Sequence, residues 1–359
     1  MQCGLFMMPL HPPEKDPTQA YDEDLELLVR ADALGYSEAW IGEHFTTRWE
    51  NIIAPDLFIA KALPLTQRMK LGTGVALLSF HHPLILAQRI AFLDHLAHGR
   101  FYFGIGAGGV PTDMEMFGVN AKEGEHRART REAIEIILKA WTEDGPFTYA
   151  GRYWQVKIPE PWPDIGLGYH MKPYQKPYPP IAVAGSTRDS GTLRLAGEYG
   201  WIPMSINFLP TPVLQSHWRA IEEGAGKSGR VPDRRQWRIA REIYVAETTA
   251  TARREALEGP MIGAFQRYFK TLLKWRGGLD VFKIDPSMPD DLVTPEYLLE
   301  HIYIVGDPEE CSRRLRILSD ELGGCGTVLL ICHDWQPREL WMRSVELLAK
   351  EVMPRLRDL

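Results

Sequence analysis

The sequence has few cysteines, no long hydrophobic run and no large excess of charge of one sign. None of its four cysteines, Cys3, Cys311, Cys325 and Cys332, stands in the C-x-x-C spacing of zinc sites and redox motifs. The longest apolar runs fall well short of the roughly 18 residues that a membrane span needs. The net charge is −6 and like charges are not clustered. We therefore expect neither a nucleic acid nor a membrane as a partner.

The amino terminus also lacks the basic segment and the small-residue cleavage site of a secretory signal. The composition is ordinary, with 45% hydrophobic and 25% charged residues, which excludes a coiled coil, a collagen-like chain and a largely disordered chain. We expect a soluble, cytoplasmic globular protein. Its 359 residues allow two domains or one large barrel with insertions.

Short apolar runs alternate with amphipathic helical patterns along nearly the whole chain. Runs that are apolar on both faces are typical of strands buried in a parallel sheet. The predicted strands are Cys3–Met8, Ala39–Gly42, Leu71–Leu78, Phe101–Ile105, Ile181–Ala184, Trp201–Ile206, Ile243–Ala246 and Thr327–Ile331. Eight predicted strands that alternate with helices favour an α/β fold of the eight-stranded (β/α)8 TIM-barrel type over a doubly wound sheet.

Two segments interrupt the alternation. The first, at about residues 143–180, is rich in proline and aromatic residues, and the second, at about 258–295, holds several aromatic residues and a Gly277–Gly278 pair. Both are too long for simple connections, and long ordered loops on a barrel are usually functional. We expect a single domain over residues 1–359, with these two insertions forming a hydrophobic lid.

Polar residues directly after the predicted strands are candidates for chemistry, because the active sites of α/β barrels lie at the carboxyl ends of the strands. Five histidines stand there: His11, His44, His81, His82 and His333. Each alone is more often a partner in a loop hydrogen bond, but together they indicate a shared pocket. Metal binding is disfavoured, since neither carboxylates nor a tight histidine spacing accompanies them. His44 is the strongest candidate for proton transfer near neutral pH.

Two glycine-containing segments are candidates for cofactor binding. Residues 104–109 match the G-x-G-x-x-G dinucleotide motif, but Pro111 and a polar stretch follow where that motif needs a helix. We interpret these glycines as backbone that a bulky planar ligand can approach closely. Residues 185–192, with the sequence GSTRDSGT, precede a predicted helix and offer hydroxyls, N–H groups and a guanidinium to a phosphate. Ordinary N-capping by Asp189 or Ser190 is the alternative.

Several tracts together resemble a known family. They are Trp40–His44, Trp49–Ile52, Leu93–Asp94, Gly99–Phe101, Gly104–Gly106, Arg194–Gly197, Glu258–Pro260, Val305–Pro308, Gly323–Gly326 and His333–Trp335. With them, essentially the whole chain resembles the bacterial luciferase-like flavin-dependent monooxygenases, and within that family the limonene and diketocamphane monooxygenase branch.

The resemblance implies an enzyme that forms a homodimer and takes reduced FMN from a separate NAD(P)H-dependent flavin reductase. In such enzymes reduced FMN reacts with O2 to form a C4a-peroxyflavin, which transfers one oxygen atom to an organic substrate. We expect that substrate to be a hydrophobic small molecule, such as a terpenoid or a cyclic ketone. Two alternatives are an F420-dependent reductase or dehydrogenase of the same fold, and a non-catalytic flavin-binding partner subunit.

The resemblance also assigns roles to residues. His44 becomes the catalytic histidine that controls the protonation of the peroxide, and Gly106 lies beside the reactive face of the flavin. A non-proline cis peptide bond is expected at Gly74–Val75, next to the cofactor. The remaining implied contacts are Gly185, Ser186, Arg188, Ser190, Gly191 and Thr192 for the cofactor and its phosphate, and His11, Phe80 and Trp335 for the substrate. Ala107 replaces the phosphate-contacting arginine of the family, and Arg188 is expected to compensate.

Overall fold

The computed structural model describes residues 1–206, 208–275 and 277–359. The strands are β1 (Gln2–Leu10), β2 (Glu38–Ile41), β3 (Lys70–Thr73), β4 (Ala76–Leu77), β5 (Phe101–Gly106), β6 (Phe147–Ala150), β7 (Gln155–Ile158), β8 (Ile181–Gly185), β9 (Ile202–Ser205), β10 (Arg238–Arg241), β11 (Ile243–Val245), β12 (Ile304–Gly306) and β13 (Thr327–His333). The α-helices are α1 (Pro17–Leu34), α2 (Pro55–Ala62), α3 (Pro83–Ala97), α4 (Pro111–Met116), α5 (Glu125–Thr142), α6 (Gly191–Tyr199), α7 (Thr211–Lys227), α8 (Thr249–Glu258), α9 (Pro260–Ala264), α10 (Lys270–Trp275), α11 (Pro295–His301), α12 (Pro308–Leu322) and α13 (Arg338–Leu347).

The principal sheet is a closed parallel barrel, which confirms the predicted fold class. Its strands follow the order β3-β2-β1-β13-β10-β9-β8-β5-β4, and a further pairing of β3 with β5 closes the ring. The short strands β3 and β4 are two halves of the third barrel strand, since both pair with β5. Eight strand positions therefore surround the barrel axis.

Local sequence signals set the helix limits. Proline occupies the first turn of α1, α11 and α12, where its missing N–H group costs no hydrogen bond. The side chain of the residue before each of them, Asp16, Thr294 or Asp307, accepts a hydrogen bond from a free backbone N–H group of that first turn. Helices α1, α6 and α12 end at glycines in the left-handed conformation.

The prediction for the seventh barrel strand is wrong. That strand is Arg238–Arg241, and the predicted Ile243–Ala246 run supplies β11, which pairs with β12 outside the barrel. The apolar-run criterion missed Arg238–Arg241 because an arginine stands at each end of it. The structure tolerates Arg238 inside the barrel because a buried carboxylate, Glu38, neutralises it.

Both segments that were predicted as insertions have some structure of their own. The first holds the antiparallel hairpin of β6 and β7, followed by proline-rich turns. The second holds α9 and α10, which a π-helical turn at Phe265–Phe269 joins. The organisation of the chain as a single domain stays a prediction.

The cysteines and the longest helices can be described directly. Cys3, Cys311, Cys325 and Cys332 are free and buried. Across the described residues, no helix combines the length and the apolar character needed to cross a bilayer.

Bulky side chains fill the barrel interior near the start of the strands. The Arg238 guanidinium donates two hydrogen bonds of 3.0 Å to the Glu38 carboxylate, which also accepts one of 2.9 Å from the Trp40 indole. The Tyr102 ring stacks on Trp40 with a centroid distance of 5.4 Å. Glu38, Trp40, Tyr102 and Arg238 thus form a plug, which we call the barrel floor.

Breaking the Glu38–Arg238 pair should destabilise the protein strongly. Arg238→Met leaves a buried carboxylate unpaired, and we expect it to lower the free energy of unfolding by about 3–5 kcal/mol in urea denaturation. The double variant Arg238→Met/Glu38→Gln removes both charges and should regain most of that loss. Equal stabilities of the single and double variants would contradict this account of the floor.

Candidate functional site

His44 lies in the loop after β2, at the carboxyl end of the barrel, between two carboxylates. Its Nε2 is 3.7 Å from Glu50 Oε2, and its Nδ1 is 3.6 Å from Asp113 Oδ2. Burial of the ring opposes its charged form, but the charges of Glu50 and Asp113 outweigh this and raise the pKa of His44. The side chain remains 15% exposed. His44 is therefore a partly accessible group that holds a proton more readily than a free imidazole.

Asp113 is fixed beneath His44 by short local contacts. It lies on α4, a helix that directly follows the glycine segment and that the sequence did not predict. Its Oδ1 accepts hydrogen bonds from the N–H groups of Phe45 and Thr46, at 3.2 and 2.8 Å. Burial favours the neutral acid, but His44 and these donors lower the pKa of Asp113. Its Oδ2 and the Nδ1 of His44 are buried and make no hydrogen bond within the described part of the chain.

Glu50 connects His44 to the second insertion. Its Oε2 accepts a hydrogen bond of 2.7 Å from the Tyr268 hydroxyl. Tyr268 also stacks on Trp49 with a centroid distance of 5.6 Å. Burial, followed by the charge of Glu50, raises the pKa of Tyr268, so the phenol stays protonated and donates. The insertion therefore contributes a polar group to the surroundings of the histidine.

Sequence reasoning missed Asp113 and Glu50 as site residues. Glu50 stood within a tract that carries the family resemblance, which was the available signal for it. Asp113 had no such signal, because its approach to His44 depends on how the segment after the glycines folds.

An aromatic cluster lies beside His44. Phe117 contacts the rings of both Phe45 and Phe80, with centroid distances of 4.7 and 4.8 Å. Next to the cluster, the Glu43 carboxylate accepts a hydrogen bond of 2.6 Å from the Leu77 N–H group. Its other oxygen forms a hydrogen bond of 2.7 Å with His81 Nε2. The structure thus brings Phe80, a predicted substrate contact, to the same side of the barrel mouth as His44.

Glycines occur on the third and fourth barrel strands, from the level of the floor to the carboxyl end. A Cβ atom on Gly72 or Gly74 would lie 2.7–2.8 Å from side-chain atoms of Trp40, and one on Gly106 would lie 2.5 Å from Val75 Cγ2. Larger residues would therefore clash at these positions. The peptide bond Gly74–Val75 is cis, as the resemblance implied. Gly74, Val75 and Gly106 are thus brought into direct contact.

The predicted phosphate segment forms the turn between β8 and α6. Ser190 is the N-cap of α6 and accepts a hydrogen bond of 3.4 Å from the Leu193 N–H group, so the capping interpretation holds for this residue. A Cβ on Gly185 would lie 2.8 Å from Ser190 Oγ, which explains the glycine there. Ser186, Gly191 and Thr192 are exposed at the amino end of the helix.

A neutral histidine, His217, supports the phosphate segment through a hydrogen bond. His217 Nε2 donates a hydrogen bond of 2.8 Å to the carbonyl of Thr187, and its Nδ1 accepts one of 2.8 Å from Ser205. Ser205 in turn accepts a hydrogen bond of 2.9 Å from the Trp237 indole. Burial lowers the pKa of His217 to about 4. The imidazole can therefore keep one donor and one acceptor nitrogen, as this chain of hydrogen bonds requires.

Arg188 is turned toward the second insertion. Its Nη2 donates hydrogen bonds of 3.1 and 2.9 Å to the carbonyls of Lys283 and Ile284. The guanidinium thus ties the phosphate segment to that insertion, and its expected contact with a phosphate stays a prediction.

His11 and Trp335, both predicted substrate contacts, are buried. His11 is 3% exposed, and its Nδ1 and Nε2 bond Asp334 and Asp24 at 2.7 and 3.0 Å. Trp335 lies between the rings of Tyr244 and Trp341, at centroid distances of 4.1 and 5.7 Å. Direct contact with a substrate stays a prediction for both: protein carboxylates bond both ring nitrogens of His11, and aromatic rings cover both faces of Trp335.

The remaining histidines do not join one pocket. His82 is exposed and packs edge-on against Trp154. His333 is buried, its pKa is lowered to about 3 by burial, and neither ring nitrogen has a hydrogen-bond partner among the described residues. In the described ranges, no group of three or more His, Cys, Asp or Glu side chains could hold a metal ion. The shared pocket expected from five histidines therefore narrows to His44 and His81.

With this geometry in place, comparison with known proteins identifies the family. A family model described as luciferase-like monooxygenase matches residues 1–324. The chain belongs to the luciferase-like monooxygenase family. It is accordingly an oxidoreductase, and its relatives include members of the limonene and diketocamphane branch.

Three relatives illustrate this placement. The 4-hydroxyprotoasukamycin monooxygenase of Streptomyces nodosus subsp. asukaensis is 35% identical over 98% of this chain and 91% of its own length. Limonene 1,2-monooxygenase of Rhodococcus erythropolis is 31% identical over 98% and 85%, respectively. The oxygenating constituent of 3,6-diketocamphane monooxygenase of Pseudomonas putida, a type II Baeyer–Villiger monooxygenase solved in complex with FMN, has a TM-score of 0.91 at 32% identity and covers 99% of this chain and 98% of its own.

The His11 cluster gives stability a defined pH dependence. Burial opposes the charged ring, but hydrogen bonds to Asp24 and Asp334 raise the pKa of His11 to about 9. Because this exceeds the unfolded value near 6.5, the stabilisation is complete below about pH 6.5 and is lost as pH rises through about 9. Urea unfolding should therefore show that His11→Gln destabilises most near pH 6 and much less near pH 10.

His82→Gln, at an exposed histidine, is the control and should show no such trend. A destabilisation by His11→Gln that stays constant across this pH range would contradict the assigned charge.

Proposed function

We propose that this protein is the oxygenase component of a two-component monooxygenase that uses reduced FMN and O2 to oxygenate a hydrophobic small molecule. The observation that carries the proposal is the position of His44, a proton-holding residue between Glu50 and Asp113 at a barrel mouth lined by glycines. The named activities of the relatives support the same reaction type.

The residues present suit FMN. Val75, at the cis bond, and Gly106, at the end of β5, are partly exposed and would contact the flat ring system. The exposed hydroxyls of Ser186 and Thr192 and the amino end of α6 suit a phosphate. The side chain of Ala107 carries no charge. The amino end of α6 and the hydroxyls of Ser186 and Thr192 would therefore supply most of the attraction for the phosphate. The solved relative from Pseudomonas putida is an FMN complex.

When bound, reduced FMN supplies the two electrons that activate O2, so that one oxygen atom enters the substrate and the other leaves as water. The protein controls protons and water around this chemistry. His44 holds or releases a proton through Nε2 or Nδ1, with Glu50 and Asp113 stabilising its charged form. Phe45, Phe80 and Phe117 present apolar surface that excludes water from the mouth.

The substrate class follows from the same surface and from the relatives. Phe80 and its aromatic neighbours would contact an apolar molecule, and the names of the relatives include a terpene and cyclic diketones as substrates. We therefore assign a terpenoid or a cyclic ketone to this site. His11 and Trp335 would act from beneath the pocket, since both are buried. A separate NAD(P)H-dependent flavin reductase would supply the reduced FMN.

Stopped-flow mixing tests the function directly. When the protein loaded with reduced FMN meets O2, we expect a spectrally distinct flavin species to accumulate before oxidised FMN appears, together with oxygenated product. His44→Ala should lower the yield of product per flavin oxidised by roughly tenfold, because the proton-controlling group is gone. His82→Ala removes an exposed histidine at the neighbouring strand end and should leave the yield unchanged.

Unchanged product yield in His44→Ala would refute the role of His44. Absence of oxygen uptake with reduced FMN, combined with binding of F420, would instead indicate a hydride-transferring reductase or dehydrogenase.

We also propose that the protein forms a homodimer through α2 and α3. These helices pack against each other and expose apolar side chains on a common outer surface. The exposed residues are Leu57 on α2 and Ile85, Phe92 and Leu96 on α3, with Ile53 just before α2. Ile85, Phe92 and Leu96 recur at the spacing of one helix face. A contiguous apolar patch of this kind is typical of a protein–protein interface, and a second copy of the chain offers the same patch in return.

Charges placed on this surface should separate the subunits. We expect light scattering to find a dimer for the wild-type chain and a monomer for Leu57→Glu/Phe92→Glu, because burying two carboxylates at the interface is costly. Val231→Glu changes an apolar residue that is 93% exposed elsewhere and should remain dimeric. A wild-type monomer at all concentrations would refute the proposed interface.

A further inference from the structure

A cavity of about 520 Å3 opens on the outer side of the barrel, between helices α7, α11 and α12. None of the residues assigned above to the cofactor or the substrate lines it. Its nearest link to the candidate site is Ile284, which lines the cavity and whose carbonyl accepts a hydrogen bond from Arg188. The cavity is therefore a separate compartment that borders the phosphate segment.

Arg241 is the unusual residue of this cavity. It ends β10, lines the cavity and is only 2% exposed. Its Nη1 is buried and has no hydrogen-bond partner among the described residues. Buried arginines normally have paired donors, and an unpaired one is costly. Burial lowers the pKa of Arg241 to about 10, which the charge of Glu242 offsets only in part.

Two further features bring positive charge or partial positive charge close to Arg241. Arg314 is held in place by hydrogen bonds of 2.8 Å to the carbonyls of Leu299 and Glu300, and its charge further disfavours the charged form of Arg241. Helix α7 begins at the cavity with Thr211, and Pro210 before it provides no side-chain cap. Pro212 has no N–H group and the Val213 N–H group donates to the Pro210 carbonyl, so it is the dipole of this helix end that favours an anion.

The rest of the lining limits what can bind. The carboxylates of Glu300 and Glu321 also border the cavity, while Arg313 is paired with Glu310. An apolar wall is formed by Ile302, Ile304 and Ile317. The volume lies within the range of small-molecule sites, roughly 300–1,000 Å3. A ligand must therefore combine one acidic group with an apolar body and avoid the two carboxylates.

We propose that this cavity binds a small organic anion, with its acidic group against Arg241 and Arg314 and its apolar body against the isoleucine wall. The bound anion would supply the hydrogen-bond acceptor that Arg241 Nη1 lacks. The site does not depend on the flavin and substrate assignments. A failure to bind the anion would therefore not contradict the proposed function.

Calorimetric titration of the full chain with octanoate tests the site, since octanoate has one carboxylate and an apolar tail. We expect one octanoate per chain, with affinity at least roughly tenfold weaker in Arg241→Met because the charged contact is lost. Arg313→Gln, at a cavity arginine already paired with Glu310, is the matched control and should change affinity by less than about threefold. 1-Octanol and inorganic phosphate, which each lack half of the recognised chemistry, should bind at least roughly tenfold more weakly.

Thermal unfolding provides a second measurement that does not depend on activity. Arg241→Met removes a buried, unpaired charge and should unfold at the same or a higher temperature than the wild type without ligand. Octanoate should raise the unfolding temperature of the wild type and of Arg313→Gln, but not that of Arg241→Met.

Several results would overturn the proposal. They are no octanoate binding to the wild type, equal binding by Arg241→Met, equal binding of 1-octanol or phosphate, and displacement of octanoate by FMN. A marked loss of stability in ligand-free Arg241→Met would also overturn it, because Arg241 would then be held by contacts within the protein.

Discussion

The barrel interior is filled near the start of the strands by bulky side chains, and glycines on the neighbouring strands let those side chains pack closely. Glu38, Trp40, Tyr102 and Arg238 fill the floor and pair all of their charge. The Trp40 side chain packs against Gly72 and Gly74, and Val75 packs against Gly106, which leaves no space for a Cβ atom at these three positions. Larger residues at these positions would therefore force Trp40 or Val75 to move.

Loops at the barrel mouth supply the polar groups that surround the His44 imidazole. His44 comes from the loop after β2, and Asp113 comes from the short helix after the glycine segment. Glu50 faces the other ring nitrogen and receives the Tyr268 hydroxyl from the second insertion. The loops therefore set the charge of the histidine, while the strands set its position at the barrel mouth.

Much of the fold could be predicted from the sequence, because buried parallel strands are apolar on both faces. The strand Arg238–Arg241 escaped because its charges are neutralised only in the folded barrel, by Glu38. His44 and Phe80 could be placed because they follow strands, and the cis bond at Gly74–Val75 came from the family resemblance alone. Asp113 could not be assigned, because its contact with His44 depends on loop folding. His11 was placed at a strand end correctly, but Asp24 and Asp334, distant in the sequence, decide its burial.

The chain of hydrogen bonds from Trp237 through Ser205 to His217 has a consequence for acid tolerance. Because burial lowers the pKa of His217 to about 4, its ring keeps the acceptor nitrogen that Ser205 needs throughout the neutral and mildly acidic range. The hydrogen bond that Nδ1 accepts from Ser205 is therefore lost only when the ring is protonated in stronger acid, whereas the Nε2–H donor to the Thr187 carbonyl remains. The turn between β8 and α6 should in this way keep its shape in mildly acidic solution.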